Sequence, residues 1–186
     1  MTGAAERWDQ KWTAARGPLG SPHPMVRALV EVLPPGAWVL DVAAGRGRQT
    51  RALVAAGLRV TAVDVSAVGL AQLRDNVRGP VATVRADLSR SLPVALAGPY
   101  DAIVCVDYCE PELWPRLRAR LAPGGLLVMS LATMRNLEQN AQPSRRFLVD
   151  PSWAPLLLGG ELSAEQVSAA WRDNGRHELW VWGQRD

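Results

Sequence analysis

The feature that most constrains this chain is an alternation of short apolar runs with helical segments. Five runs recur through its middle, over residues 38–43, 59–64, 81–87, 100–107 and 126–131. Between them lie segments with helical signals. Residues 48–56 read as a helix closed by Gly57. Ser66 has the chemistry of an N-cap for a helix running to Val77, with Val68, Leu70, Leu73 and Val77 on its apolar side and Gly79-Pro80 as its stop. Residues 110–121 read as a third helix, and Pro123-Gly124-Gly125 turns the chain into the last run. Strands that alternate with helices form βαβ units and a parallel sheet. The runs are apolar throughout, as required of strands covered by helices on both faces.

The two ends differ from this middle. Residues 1–37 form a helical preamble. An amphipathic helix over 4–15 places Trp8 and Trp12 one turn apart. The Gly- and Pro-rich stretch 17–24 breaks it, and a second helix over 25–33 ends at Pro34-Pro35-Gly36. At the other end, residues 162–171 alternate loosely with period two. Asp173-Asn174-Gly175 is a hairpin-turn signal, and Leu179 and Val181 alternate with Trp180 and Trp182. This reads as a closing antiparallel hairpin, with a helix over 161–171 as the competing assignment.

Composition narrows the setting. A chain of 186 residues, 48% hydrophobic and 21% charged, suits one soluble domain of residues 1–186. The expected division is a helical lid over 1–37, a core over 38–132, a connecting lid over 133–160 and the hairpin over 161–186. The formal net charge is +3, with scattered arginines and one lysine, Lys11, so nucleic acid is not demanded. Two cysteines, Cys105 and Cys109, make neither a disulfide framework nor a thiolate cage, and no metal is expected. No signal peptide and no run of about 20 apolar residues is present, which predicts a cytoplasmic location.

In an open parallel sheet, ligands bind beyond the carboxyl ends of the strands. The first strand delivers Asp41-Val42-Ala43-Ala44-Gly45-Arg46-Gly47 to that edge. Gly45 and Gly47 let backbone approach a ligand, and the next helix directs its free amides to the same place. The second strand ends in Asp64, at a spacing from Gly45 where a carboxylate accepts both hydroxyls of a ribose. The third ends in Asp87, placed to accept from an adenine amino group. Val65 and Leu88 follow these two carboxylates. Three acids ending three strands of one sheet point to a nucleoside-containing ligand. Two details choose among such ligands. Thr50 stands where the dinucleotide fingerprint has its third small residue. Asp41 would repel a pyrophosphate but suits an ammonium and a sulfonium. Both favour S-adenosylmethionine over NAD.

On these residues the chain resembles the class I S-adenosylmethionine-dependent methyltransferases. The resemblance is carried by Val39 to Arg48, Val60 to Ser66, Ala86-Asp87, Tyr100 to Val104 and Leu121-Ala122-Pro123-Gly124-Gly125. More narrowly, it is similar to small bacterial enzymes grouped with tellurite-resistance and thiopurine methyltransferases. That similarity rests on Trp8-Asp9-Gln10-Lys11-Trp12 near the start and Gly175-Arg176-His177-Glu178 near the end. Ala43 replaces the first glycine of the family's Asp-x-Gly-x-Gly pattern. The resemblance implies a Rossmann-like, mostly parallel α/β sheet of seven strands, the last antiparallel between the fifth and sixth. It implies a donor site drawn from Asp41, Ala43, Gly45, Gly47, Asp64, Val65, Asp87 and Leu88, with Asp107 and Trp12 as further contacts.

The implied topology sends the sixth strand parallel to the first five. Its hairpin turn, residues 172–177, then lies at the rim of the site. Arg176 is expected to meet an anionic acceptor there, and His177 to take a proton from an amine or hydroxyl. A thiolate needs no strong base, because methyl transfer from a sulfonium is an in-line displacement that depends mainly on proximity and water exclusion. The expected activity is methylation of a small molecule, with thiol, thiopurine and oxyanion acceptors all open. A nucleic-acid methyltransferase and a non-catalytic binding domain are the alternatives. The former lacks support after the fourth strand, where Asp107-Tyr108-Cys109-Glu110 stands in place of an Asn/Asp-Pro-Pro-Tyr motif.

Overall fold

The computed structural model describes residues 2–186. Its centre is a seven-stranded sheet with strands β1 (Trp38–Val42), β2 (Arg59–Asp64), β3 (Val81–Arg85), β4 (Tyr100–Val106), β5 (Leu121–Ala132), β6 (Leu162–Trp171) and β7 (His177–Arg185). They lie in the order β3-β2-β1-β4-β5-β7-β6. The first five are mutually parallel, and β7 runs antiparallel between β5 and β6. This is the Rossmann-like sheet expected, and residues 162–171 are strand, as the hairpin reading required.

Six α-helices accompany the sheet: α1 (Thr2–Ala14), α2 (Pro24–Val32), α3 (Arg48–Ala55), α4 (Ala67–Asn76), α5 (Trp114–Arg118) and α6 (Ala154–Leu158). The helix expected over 110–121 is cut to a 3₁₀ turn and the five residues of α5. Pro115 explains this. It has no N–H to bond to the carbonyl four residues back, so it is tolerated in the first turn of a helix but not in its interior. β5 begins at Leu121 rather than Leu126, with a register irregularity opposite Tyr100–Ala102. Between β5 and β6 the chain forms 3₁₀ turns, a bridge between Thr133 and Val149, and α6. Among the described residues, no helix is long and apolar enough to cross a membrane.

Side-chain alternation divides the core into two layers, one on each face of the sheet. Leu40, Val42, Ile103, Cys105, Leu127 and Met129 pack with Trp114 and Leu117. Val39, Ala102, Val104 and Val128 pack with Leu53, Leu70, Leu73 and the α2 residues Met25, Val26 and Leu29. Asp41 shares the parity of Val39, so it points into the second, apolar layer. It is 1% exposed, and the Thr50 hydroxyl of α3 donates to it at 2.6 Å. Burial outweighs that bond and pushes its carboxyl up to about 7.

Asp41 therefore stays protonated in the folded chain over a range where the unfolded chain has already lost that proton. It costs nothing below the unfolded pKa of about 3.9, an increasing amount as pH rises from there to 7, and its full amount above. Asp41→Asn should accordingly gain stability over the parent as pH rises through this window, by on the order of 1–4 kcal/mol at pH 8. Urea unfolding at pH 4.5 and 8 measures it. A pH-independent difference would contradict it. Ala43, just beyond β1, adopts a left-handed φ of 56°. That conformation costs a non-glycine residue roughly 1–2 kcal/mol, partly offset by the entropy that glycine adds to the unfolded chain. Ala43→Gly should raise the unfolding midpoint by a few degrees.

Candidate active site

The carboxyl ends of β1, β2 and β4 converge on one edge of the sheet. After β1, Ala43, Gly45 and Gly47 take positive φ in succession and fold the chain back before α3. Asp64, at the end of β2, secures this loop. One carboxylate oxygen accepts from the Gly45 amide at 2.8 Å, and the other accepts from the Ser66 amide at 2.8 Å. Asp64 is 7% exposed, and burial holds its carboxyl above the ordinary range against these amides. Each oxygen spends one lone pair on an amide and keeps another. A carboxylate so arranged fits the paired hydroxyls of a ribose. Asp87 lies two residues beyond β3 and accepts from the amide and hydroxyl of Ser89.

Two adjoining cavities open at this edge, of about 210 and 350 Å³. Together they fall within the range of roughly 300–1,000 Å³ usual for small-molecule sites. The first is lined by Ala43, Asp64, Val65, Asp87, Leu88, Tyr108 and Cys109, and is covered by Ala4, Arg7 and Trp8 of α1 and by Phe147. The second is lined by Asp41, Gly45, Arg46, Arg48, Gln49 and Lys11. Trp8, Trp12 and Asp107 border both. Trp8 stacks on Trp12 with centroids 5.7 Å apart and meets the edge of Phe147 at 6.0 Å. The N-terminal helix and the 133–160 segment therefore meet over the first cavity.

Of the residues expected here, Asp41, Ala43, Gly45, Asp64, Val65, Asp87, Leu88, Asp107 and Trp12 line one cavity or both. Gly47 lines neither. A Cβ there would lie 2.7 Å from Leu73, so this glycine serves the close packing of α3 against α4.

The hairpin turn reaches the site through Arg176. Its Nη2 donates to Asp107 at 2.6 Å, and Arg48 lies 3.6 Å from the other oxygen of that carboxylate. Asp107 itself carries a left-handed φ of 65°, with its amide bonded to Ser130. His177 does not reach the site. It is 2% exposed, with Nδ1 at 2.8 Å from the Thr133 hydroxyl, and its backbone is paired with Asn136 and Thr133. Successive side chains along an extended segment point to opposite faces, so a rim position for Arg176 turns His177 inward. Burial also lowers its pKa. The base expected of it is absent from the cavities. Cys109 and Tyr108 keep their protons at neutral pH, since burial pushes the Cys109 thiol up to about 11 and raises the Tyr108 hydroxyl.

Glu178, next in the Gly-Arg-His-Glu run, is the residue that sequence reasoning missed. It is 1% exposed and accepts from His23, Ser130, Trp180 and Asn174. Burial alone would raise its pKa, but these partners take it down to about 2. Asn174 in turn accepts from the Arg176 amide, so the buried carboxylate fixes the turn that carries Arg176. The available signal was His23 directly before Pro24, the pattern of a helix entry: its ring caps α2 by accepting from Met25.

A family profile described as a methyltransferase domain matches residues 39–125. The chain is 32% identical over 198 aligned positions to a ubiquinone biosynthesis O-methyltransferase of Xanthomonas campestris pv. campestris, covering 89% of this chain and 83% of that protein. The same-named protein of Xanthomonas axonopodis pv. citri is 31% identical over 132 positions, 64% of this chain, and the match spans only 55% of that relative. The fold is shared with a Burkholderia thailandensis 1,6-didemethyltoxoflavin-N1-methyltransferase, at TM-score 0.66 and 23% identity over 98% of this chain and 84% of that one. It is shared also with a TehB-like methyltransferase from Corynebacterium glutamicum, at TM-score 0.66 and 17% identity over 98% and 96%. These two likenesses establish the fold alone. The family follows from the Xanthomonas campestris match and the order of motifs along the sheet: the chain belongs to the class I S-adenosylmethionine-dependent methyltransferases.

Proposed function

We propose that this enzyme methylates a small-molecule acceptor that presents its nucleophilic atom as an anion, by direct displacement beside Asp107 and Arg176. The observation that carries the donor half is the Asp64 carboxylate, tied to Gly45 and Ser66 yet retaining lone pairs at the first cavity. In this reading Asp64 takes the ribose hydroxyls of S-adenosylmethionine, and Asp87, Val65 and Leu88 flank its adenine. Asp41 and the backbone at Gly45 face its amino-acid end. When bound, S-adenosylmethionine supplies an activated methyl group on a charged sulfur leaving group.

The acceptor half rests on charge. Arg176 and Arg48 meet at Asp107, and Arg176 lies also 3.9 Å from Glu178, so the two guanidiniums are held in place by carboxylates. Lys11 brings a positive charge to the second cavity. No histidine lines either cavity among the described residues. A thiolate or an acidic oxyanion arrives already deprotonated, so the guanidiniums need only orient it. The lid formed by Trp8, Trp12 and Phe147 excludes water, and alignment of this kind contributes roughly 7–11 kcal/mol to such reactions. The small-molecule class accords with the names of the Xanthomonas and Burkholderia proteins.

The direct test supplies methyl-labelled S-adenosylmethionine to the enzyme in a small-molecule extract and identifies the labelled product. A labelled thioether, ether or ester is expected. Label recovered in nucleic acid, or none transferred to any fraction, would contradict the proposal. Turnover of the acceptor so found should survive exhaustive chelation. Asp64→Ala should weaken S-adenosylhomocysteine binding by the roughly 1.5–3 kcal/mol of a hydrogen bond to a charged group. Arg176→Ala should lower turnover at least tenfold, about 1.4 kcal/mol, with affinity for S-adenosylhomocysteine unchanged.

A further inference from the structure

The run Trp8-Asp9-Gln10-Lys11-Trp12 is accounted for so far by its tryptophans and Lys11. Asp9 lies on the same helix, and its Oδ1 accepts twice from α4: from the Ser66 hydroxyl at 2.5 Å and from the Val68 amide at 3.1 Å. Ser66 is the N-cap of α4, taking the Gly69 amide at 2.9 Å, and its own amide donates to Asp64 at 2.8 Å. The other oxygen of Asp64 holds the Gly45 amide. An unbroken series of hydrogen bonds thus runs from α1 through the cap of α4 and the Asp64 carboxylate to the glycine loop.

Trp12 makes a second connection between the same parts. A Cβ on Gly69 would lie 2.8 Å from its Cδ1, and a Cβ on Gly45 would lie 2.8 Å from its Cζ2. One indole therefore rests on both glycines, one in the first turn of α4 and the other in the loop. Gln72 of α4 anchors the end of this contact by donating to the Trp12 carbonyl at 3.0 Å. Gly69 is otherwise unexplained. It sits inside a helix, has no left-handed φ, and costs α4 roughly 1 kcal/mol relative to alanine.

At the start of α4, Ser66 takes the Gly69 amide and Asp9 takes the Val68 amide that this cap leaves free. A tie meant only to hold α1 in place would be better made without a second carboxylate beside Asp64, where like charges oppose each other. We propose that Asp9 and Gly69 are positioning residues of the donor site: Asp9 orients Ser66, and through it Asp64, while Gly69 seats Trp12 over the loop. This rests on Asp64 as the ribose acceptor. Docking of α1 and binding of the donor then share one free energy, and each strengthens the other by the same factor.

The test is calorimetric titration of the full-length chain with S-adenosylhomocysteine, which requires no acceptor, together with a melting curve for each variant. Asp9→Ala should weaken binding at least fivefold. Asp9→Asn should bind within twofold of the parent, because its amide oxygen still accepts from Ser66 and Val68. Gly69→Ala should weaken binding at least fivefold although alanine favours the helix, so that a lost α4 cannot be the cause. In an Asp64→Ala background, Asp9→Ala should add less than twofold. Parent-like affinity in both Asp9→Ala and Gly69→Ala, with Asp64→Ala weakened, would overturn this inference and leave the donor reading standing. A lowered melting temperature in Asp9→Ala without loss of affinity would likewise make the contact structural. Parent-like affinity in Asp64→Ala would remove the donor reading and this inference together.

Discussion

The bidentate grip of Asp64 on the Gly45 and Ser66 amides is the interaction on which the site depends. Taking a carboxylate to 7% exposure costs several kcal/mol unless donors replace the lost water. Here two backbone amides do so, and they come from the two segments that must be brought together, the glycine loop after β1 and the cap of α4. The loop's left-handed residues Ala43, Gly45 and Gly47 are tied further by the Ala44 amide on the Val63 carbonyl and the Asn76 side-chain amide on the Arg46 carbonyl. The Asp64 carboxylate retains lone pairs toward the cavity, so the side chain that fastens the loop is also the one proposed to take the ribose.

The opposite wall follows a different physical rule. There the charges are paired across elements remote in sequence: Arg176 from the hairpin and Arg48 from α3 meet at Asp107 after β4. Exposed ion pairs contribute little to stability, and each of these three groups is about a third exposed or more. Their value lies in orientation. The buried Glu178, held by four side-chain donors, secures the turn through Asn174 and gives Arg176 a defined place. A site so built can attract and align an anion, and among the described residues no histidine lines it.

Most of the parallel sheet was legible because its strands are short, apolar and punctuated by Gly, Pro and acidic ends, and because both faces are covered. The cavity-lining edge was legible for a related reason: Asp64 and Asp87 are polar residues at the ends of apolar runs, and both line the first cavity. The hairpin was legible only in part. Alternation placed Leu179 and Val181 inside, but no sequence pattern states which of Arg176 and His177 faces the crevice. That depends on where β7 begins, and a shift of one residue exchanges the two. The shortening of α5 could have been foreseen from Pro115 alone. The contacts of Asp9 with Ser66 and of Glu178 with His23 could not, because the partners lie 57 and 155 residues away; His23 before Pro24 marks a helix entry but not the carboxylate it meets. Contacts at that separation exist only once the sheet has formed.

A crystal structure of the enzyme with S-adenosylhomocysteine tests the central claim most directly. The account predicts both ribose hydroxyls on the carboxylate oxygens of Asp64, the adenine between Val65 and Leu88 with Asp87 at its edge, and the sulfur facing the junction beside Asp107. A nucleoside bound elsewhere on the sheet edge, with Asp64 still occupied only by Gly45 and Ser66, would show that this carboxylate fastens the loop and does nothing more.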